Sequence, residues 1–339
     1  MNLNSKNNLS YDISDYMIRN KKAMIICNLF RKFISLKNKS HLSIIKLNLK
    51  DKPLSSTNNN SNTDLNLHPD NEYTYIGSLF KNMKDGFALQ IYPRQQCKYS
   101  GLFKNNNPIG ICHFINKTNN SEYKGFQQHM EANNYGILTQ NNPDKYIYEG
   151  YFVANKKHGY GIEIYSDDSR YEGMFKNDEK CGLGTYYWND GSYIQGEWKK
   201  NELNGYGIYM FKDGKYYKGK WKEHQMEGFG EFTYPNNKSY VGYFKQDQKD
   251  GFGILYWYNE KKMYVGFWKE NKQSGFGKYV VNDNEKMNKW DNGIQTKVYK
   301  NKNEFLMEVE NENGKGIAEL MKQSYEDIGY VITSIVNDS

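Results

Sequence analysis

No glycine precedes Gly77, and only Tyr11 and Tyr16 supply tyrosine before position 70. Aliphatic core material is short everywhere. Hydrophobic residues make up 37% of the 339-residue chain and the mean hydropathy is -0.93, which excludes a single dense globule of the ordinary kind. No run of 18 apolar residues exists, so a membrane-spanning helix is excluded. The four cysteines, Cys27, Cys97, Cys112 and Cys181, share neither metal-ligand nor disulfide spacing, and the N-terminus lacks the apolar stretch of a secretory signal. A reducing, intracellular compartment is the expectation. His41, His68, His113, His129, His158 and His224 form no H-E-x-x-H or other metal signature, and there is no Walker A sequence. With no unique converging pair of acids either, the reading is non-enzymatic and without cofactor.

What the chain does have is 30 glycines and 54 aromatic residues (31 Tyr, 17 Phe, 6 Trp), and 27 of the glycines fall between Gly77 and Gly293. This divides the sequence into an arm, residues 1–50, an Asn/Ser-rich linker, 51–72, a glycine- and aromatic-rich body, 73–294, and a C-terminal segment, 295–339. Linker residues DKPLSSTNNNSNTDLNLHPD carry no periodicity of 2 or 3.6. The arm holds ten Lys or Arg against Asp12 and Asp15, a net charge of +8. The whole chain is +7, so the remainder is at -1 and a nucleic-acid partner for the body has no support.

The body repeats. An opening glycine recurs at Gly150, Gly173, Gly196, Gly219, Gly242 and Gly266, and nine residues after each comes a G-x-G pair. These pairs are Gly159 and Gly161, Gly182 and Gly184, Gly205 and Gly207, Gly228 and Gly230, Gly251 and Gly253, and Gly275 and Gly277. Weaker copies start at Gly77, Gly101 and Gly125, with partners Gly86, Gly110 and Gly136 and no second glycine. The third of these has two additional residues between its landmarks and reads as distorted over Gln128 to Tyr135. Nine repeats result, over about 75–286, with Trp290 and Gly293 as the trace of a tenth.

Within a unit, Tyr171, Gly173 and Phe175 alternate with Glu172 and Met174, a period of two that places Tyr, Gly and Phe on one face of a strand. The second half alternates as well: Gly184, Tyr186 and Trp188 share a parity, as do Tyr209 and Phe211, Phe232 and Tyr234, and Leu255 and Trp257. Rings then lean over the glycines. Asp190-Gly191, Asp213-Gly214 and Asn236-Asn237 tolerate left-handed turns. Each unit is therefore a β-hairpin, and because one hairpin is marginal alone, successive hairpins pair edge to edge. The fold class is all-β repeat: a single-layer twisted antiparallel ribbon of stacked β-hairpins, with short helical flanks.

The Y-x-G-x-[FW] opening, the G-x-G centre and the 23-residue spacing resemble the MORN repeat (membrane occupation and recognition nexus). The correspondence falls on Tyr148, Gly150 and Phe152; Tyr171, Gly173 and Phe175; Ile194, Gly196 and Trp198; Tyr217, Gly219 and Trp221; Tyr240, Gly242 and Phe244; and Tyr264, Gly266 and Trp268. Ile194 departs from the aromatic at its position. The resemblance implies a scaffolding, membrane-apposed, ciliary or cytoskeletal role, with structural or signalling proteins as partners and a cytoplasmic, cytoskeletal, ciliary or peripheral-membrane location.

The flanks carry separate expectations. Residues 15–37 have helical spacing at Ile18, Ile25, Leu29, Phe33 and Leu36, and Lys21, Lys22, Arg31, Lys32 and Lys37 make that helix basic. An anionic membrane surface, a calmodulin-like protein, docking on the ribbon and an organellar presequence are its alternative uses. Ile26-Cys27-x-x-x-Arg31 resembles a degenerate IQ motif. Ile317, Leu320, Met321, Ser324 and Ile328 suggest a second amphipathic helix within 305–339, assigned as a cap for the open edge or, alternatively, an intermolecular docking element.

Overall fold

The computed structural model describes residues 44–45, 73–282, 284–315 and 317–318. These fall into two compact units divided between Lys156 and Lys157. Both are antiparallel all-β, and within each unit strands consecutive in the sequence pair with one another.

The first unit contains three hairpins, Thr74–Phe80 with Met83–Tyr92, Cys97–Lys104 with Asn107–Asn116, and Ser121–Gln128 with Glu131–Asn141, then the strand Lys145–Val153. Ile44–Ile45 pairs with the edge strand Thr74–Phe80. The second unit runs from the strand ending at Ile164 through six hairpins. The first three are Arg170–Lys176 with Glu179–Tyr187, Tyr193–Lys199 with Glu202–Met210, and Tyr216–Lys222 with Gln225–Tyr234. The last three are Lys238–Lys245 with Gln248–Trp257, Lys262–Lys269 with Lys272–Val281, and Asn284–Asp291 with Ile294–Tyr299. Trp290 and Gly293 thus belong to a complete last hairpin.

The glycine phase has one physical cause, repeated. Gly173 stands opposite Gly184 across the hairpin, and the Tyr171 ring lies over both. A Cβ on Gly184 would lie 2.2 Å from the Tyr171 hydroxyl oxygen. Immediately after this pair the register shifts, and Gly182 takes up the excess backbone at φ +60°, so the G-x-G pair supplies one bulge residue and one contact residue. Where the register shifts, the Tyr171 hydroxyl donates to the Met174 carbonyl at 3.2 Å. Tyr217 and Tyr240 do the same to Lys220 and Tyr243 at 3.0 and 3.1 Å, so the opening residue is a tyrosine for its hydroxyl as well as its ring. Each ring also meets two others edge-on. Tyr171 lies 5.2 Å from Phe175 in its own strand and 5.2 Å from Trp198 in the next hairpin, T-shaped in both cases.

The third repeat is not distorted. Gly125 pairs with Gly136, which is therefore the second glycine of its unit, and the bulge position nine residues after Gly125 is held by Asn134 at φ +59°. Asparagine adopts that backbone region at small cost, so the landmark was present under another residue type. In the first two hairpins Ala88 and Cys112, both buried, stand at the second-glycine position opposite Gly77 and Gly101.

A further landmark sits in the stretch between the glycines. The two-residue hairpin turns have both φ angles positive, as at Asn177 (+51°) and Asp178 (+72°), the geometry of a type I′ turn. The second turn residue clasps the preceding hairpin twice. Asn201 donates its N–H to the Lys180 carbonyl at 3.1 Å and accepts the Lys180 N–H on Oδ1 at 2.8 Å. Asp178 on Lys157, His224 on Leu203, Asp247 on Met226 and Asn271 on Lys249 repeat this pair of bonds. The residue lies five positions after each opening glycine, a signal present in the sequence. Asn201→Ala should cost about 1 kcal/mol, the net worth of one such bond. Amide exchange at Lys180 faster than wild type is the expected reading, and unchanged exchange would refute the clasp.

A helix, Lys302–Asn313, follows the last strand. It begins well before the amphipathic spacing from Ile317 indicates, because Asn301 caps it by accepting the Asn303 N–H and because Phe305 and Val309 supply its buried stripe. Ile317 and Ala318 join the same cluster; Leu320, Met321, Ser324 and Ile328 lie outside the described residues. The helix covers the face opposite to the opening tyrosines, where Met263, Val265, Phe276, Val280 and Met287 form an apolar patch confined to the final hairpins. Lys289 contacts Glu308 and Glu312, and Lys297 contacts Glu304 and Glu308. These exposed pairs orient the helix and add little energy, about 0–1 kcal/mol each.

Candidate functional site

The repeat landmarks sort into two roles in the second unit. The opening rings Tyr171, Tyr217, Tyr240 and Tyr264, with Phe175, Phe244, Trp198, Trp221 and Trp268, are buried and hold hairpins together. The paired glycines make room for those rings. Gly161 faces Gly173, Gly207 faces both Gly196 and Gly219, Gly230 faces both Gly219 and Gly242, and Gly277 faces Gly266. The Tyr217 ring lies over Gly230 and the Tyr264 ring over Gly277. Gly207 differs, because its unit opens on Ile194 and has no tyrosine hydroxyl to place there. The Trp221 indole fills that space and donates to the Gly207 carbonyl at 3.2 Å. The second glycines Gly161, Gly184, Gly207, Gly230, Gly253 and Gly277, repeat landmarks in the sequence, are parts of the hairpin lock. Neither they nor the buried rings offer a surface to a partner.

The rings two and four residues after the second glycine do. Tyr165, Tyr186, Trp188, Tyr209, Phe211, Phe232 and Tyr234 are half-buried and share the face of the opening tyrosines. Their centroids form one chain of contacts: Tyr165–Tyr186 6.0 Å, Tyr186–Trp188 4.9 Å, Trp188–Tyr209 5.3 Å, Tyr209–Phe211 3.9 Å, Phe211–Phe232 5.8 Å and Phe232–Tyr234 4.7 Å. Register accounts for the ladder. Glycine stands opposite glycine across each strand pair from Gly173 to Gly277, so residues at a fixed distance beyond them align from hairpin to hairpin. The sequence pattern located these rings on one face; only the pairing shows them continuous and uncovered among the described residues.

An acidic group is built into this face. Glu163 is almost fully buried and accepts bonds from Lys157, from Lys180 at 2.9 Å and from the Tyr165 hydroxyl. Burial alone would raise its pKa, but the two ammonium groups overcome that and hold it at about 2. Burial and the Glu163 charge together push the Tyr165 phenol up. This cluster is charged and pinned rather than poised near neutrality, so its chemistry is that of a structural ion network.

The opposite face carries a stripe that the alternation argument passed over. The middle residue of each G-x-G is large and apolar: Tyr160, Leu183, Tyr206, Phe229, Phe252 and Phe276. Phe276 packs on Phe305 of the helix at 5.9 Å, whereas Leu183 is 51% exposed.

Among the described residues no group of three or more His, Cys, Asp or Glu is placed to hold a metal, and no helix is long and apolar enough to cross a membrane. The sequence-derived basic helix bearing Lys21, Lys22, Ile25, Ile26, Leu29, Arg31, Lys32 and Phe33 lies outside the described residues.

Hairpins locked by a tyrosine over paired glycines and presenting an aromatic face define a repeat scaffold. Six successive segments, residues 148–170, 171–193, 195–216, 217–239, 240–261 and 264–284, match the family model of the MORN repeat. Residues 148–284 are thus built of MORN repeats, a non-enzymatic repeat type that generally serves in protein or membrane binding. A search of curated proteins gave no match. The three hairpins between Thr74 and Asn141 lie outside the matched segments yet share the glycine-facing geometry, with Ala88, Cys112 and Asn134 in place of glycines.

Proposed function

We propose that this protein is a non-catalytic scaffold that docks structural proteins, in a cytoskeletal, cortical or ciliary assembly, through the half-buried ring ladder from Tyr165 to Tyr234. The observation that carries this reading is the ladder's continuity. Monomeric surfaces seldom leave so many adjoining aromatic rings partly in water, and Tyr, Trp and Phe are the residues enriched at protein interfaces. The rings are held by the register of the sheet, so little side-chain entropy is lost when a partner covers them.

Affinity capture from native cells tests the reading, comparing the full chain with Trp188→Ser and Phe211→Ser. These rings are half in water and outside the buried lock, so the hairpins should persist while recovery of reproducible structural partners falls at least about tenfold, as for loss of an interface hot spot. Equal recovery by both variants would remove the ladder from consideration. Flotation on anionic vesicles that depends on residues 1–50, without any protein partner, would instead favour a peripheral membrane adaptor.

A further inference from the structure

Lys249 stands two residues before the first glycine of its G-x-G pair, as Lys157 and Lys180 do in theirs. Those two lysines share the carboxylate of Glu163, which lies two residues after a second glycine, in the same strand as Lys157 and in the hairpin preceding Lys180. The two equivalent positions around Lys249 are Leu255, in its own strand, and Phe232, in the preceding hairpin. Neither can accept a hydrogen bond. The Lys249 ammonium instead lies over three rings, 5.6 Å from the Tyr234 centroid, 5.2 Å from Tyr240 and 5.1 Å from Trp268. No acidic group among the described residues reaches it, and burial lowers its pKa without any opposing carboxylate. The ring ladder ends at Tyr234, beside it.

Resting on the docking role of that face, we propose that Lys249 is a carboxylate-binding site, which takes an Asp or Glu side chain from an acidic, aromatic segment of the partner. The partner's carboxylate supplies what Glu163 supplies internally to Lys180, and its neighbouring apolar side chains lie on Phe232 and Tyr234. Cation–π contacts alone leave the ammonium short of hydrogen-bond acceptors, so a carboxylate brought to it gains a charge-assisted bond in a partly dry setting. A hydroxyl or amide at the same place gains much less. The ladder therefore selects for charge at one end and for rings along its length.

The probes are the peptide acetyl-Ser-Phe-Glu-Phe-Ser-amide and its counterpart with Gln in place of Glu, titrated into the full chain carrying carbon-13 at lysine Cε. The Glu peptide should shift the Lys249 signal and bind about tenfold more tightly than the Gln peptide, the usual advantage of a bond to a charged group. Lys249→Met should abolish that preference. Leu255→Glu should abolish it too, by filling the site from within, and it reads the proposal through a chain that retains the lysine. Equal affinity for the two peptides overturns the site while leaving the ladder as a docking face. A preference that survives Lys249→Met, or no binding by either peptide at millimolar concentration, also overturns it, whereas the docking reading stands or falls on the capture experiment.

Discussion

Gly242→Ala is expected to destabilise the second unit by about 3 kcal/mol, the upper end for overpacking a close-packed site. A Cβ at this position would lie 2.5 Å from the Gly253 Cα and 2.8 Å from the Phe252 carbonyl oxygen, and both are backbone atoms of the partner strand. It would also meet the Tyr240 hydroxyl at 2.6 Å. Strand separation is fixed by hydrogen bonds on either side, so no side-chain rotation relieves the clash. The second glycine is the informative comparison. At Gly253 the nearest contacts are with the Tyr240 ring, and the first two hairpins already carry Ala88 and Cys112 at that place. Gly253→Ala should therefore cost clearly less than Gly242→Ala. Gly191, with φ +89° and nothing within 4 Å of an added Cβ, isolates the backbone effect alone, about 1–2 kcal/mol. Urea midpoints for the three variants give the order directly. Equal losses at Gly242 and Gly191 would mean that the close backbone approach of Gly242 to Gly253 does not set the strand packing.

Glu163→Gln is the other large effect. The neutral amide removes the carboxylate that Lys157 and Lys180, whose side chains are 18% and 15% exposed, share, and breaking a buried ion network in this way costs about 3 kcal/mol or more. Adding Lys157→Met and Lys180→Met to Glu163→Gln should recover much of the loss, because Leu203 and Met226 hold the equivalent position, two residues before the first glycine of the pair, in other hairpins. The pH dependence follows in sign from the depressed carboxyl. With 4.5 as its ordinary value and about 2 in the folded protein, Glu163 contributes its full stabilisation above pH 4.5 and loses it as the pH falls towards 2. Wild type should accordingly lose more stability than Glu163→Gln between pH 5 and 2.5. Parallel curves for the two proteins in urea across that range would show that the carboxylate is not held by the lysines.

The periodic part of the fold was legible because it needs only arithmetic. A period of two sets the faces, and a glycine every 23 residues marks where a ring must lie flat against backbone. The missed landmarks share one feature: their role depends on a residue in another strand. Asn134 could not be recognised as a glycine stand-in without the pairing of Gly125 with Gly136. The turn residue at Asn201 looked like one more polar residue of a variable segment until its two bonds to Lys180 were visible. Glu163 lies 17 residues from Lys180, a separation with no meaning along one strand and an immediate contact across two.

By itself the sequence determined that this is an all-β array of hairpins, that tyrosine, glycine and a second ring share a face, and that the charge of +8 resides in residues 1–50 and not in the repeats. These properties follow from local geometry: alternation, turn chemistry and the missing Cβ act within one hairpin. Tertiary structure alone decided which aromatic rings are locks and which are left half in water, where the helix from Lys302 covers the opposite face, and which lysine lacks its carboxylate. Those outcomes depend on register between hairpins, and register is set by the bulge and the glycine pair acting together, not by any one repeat.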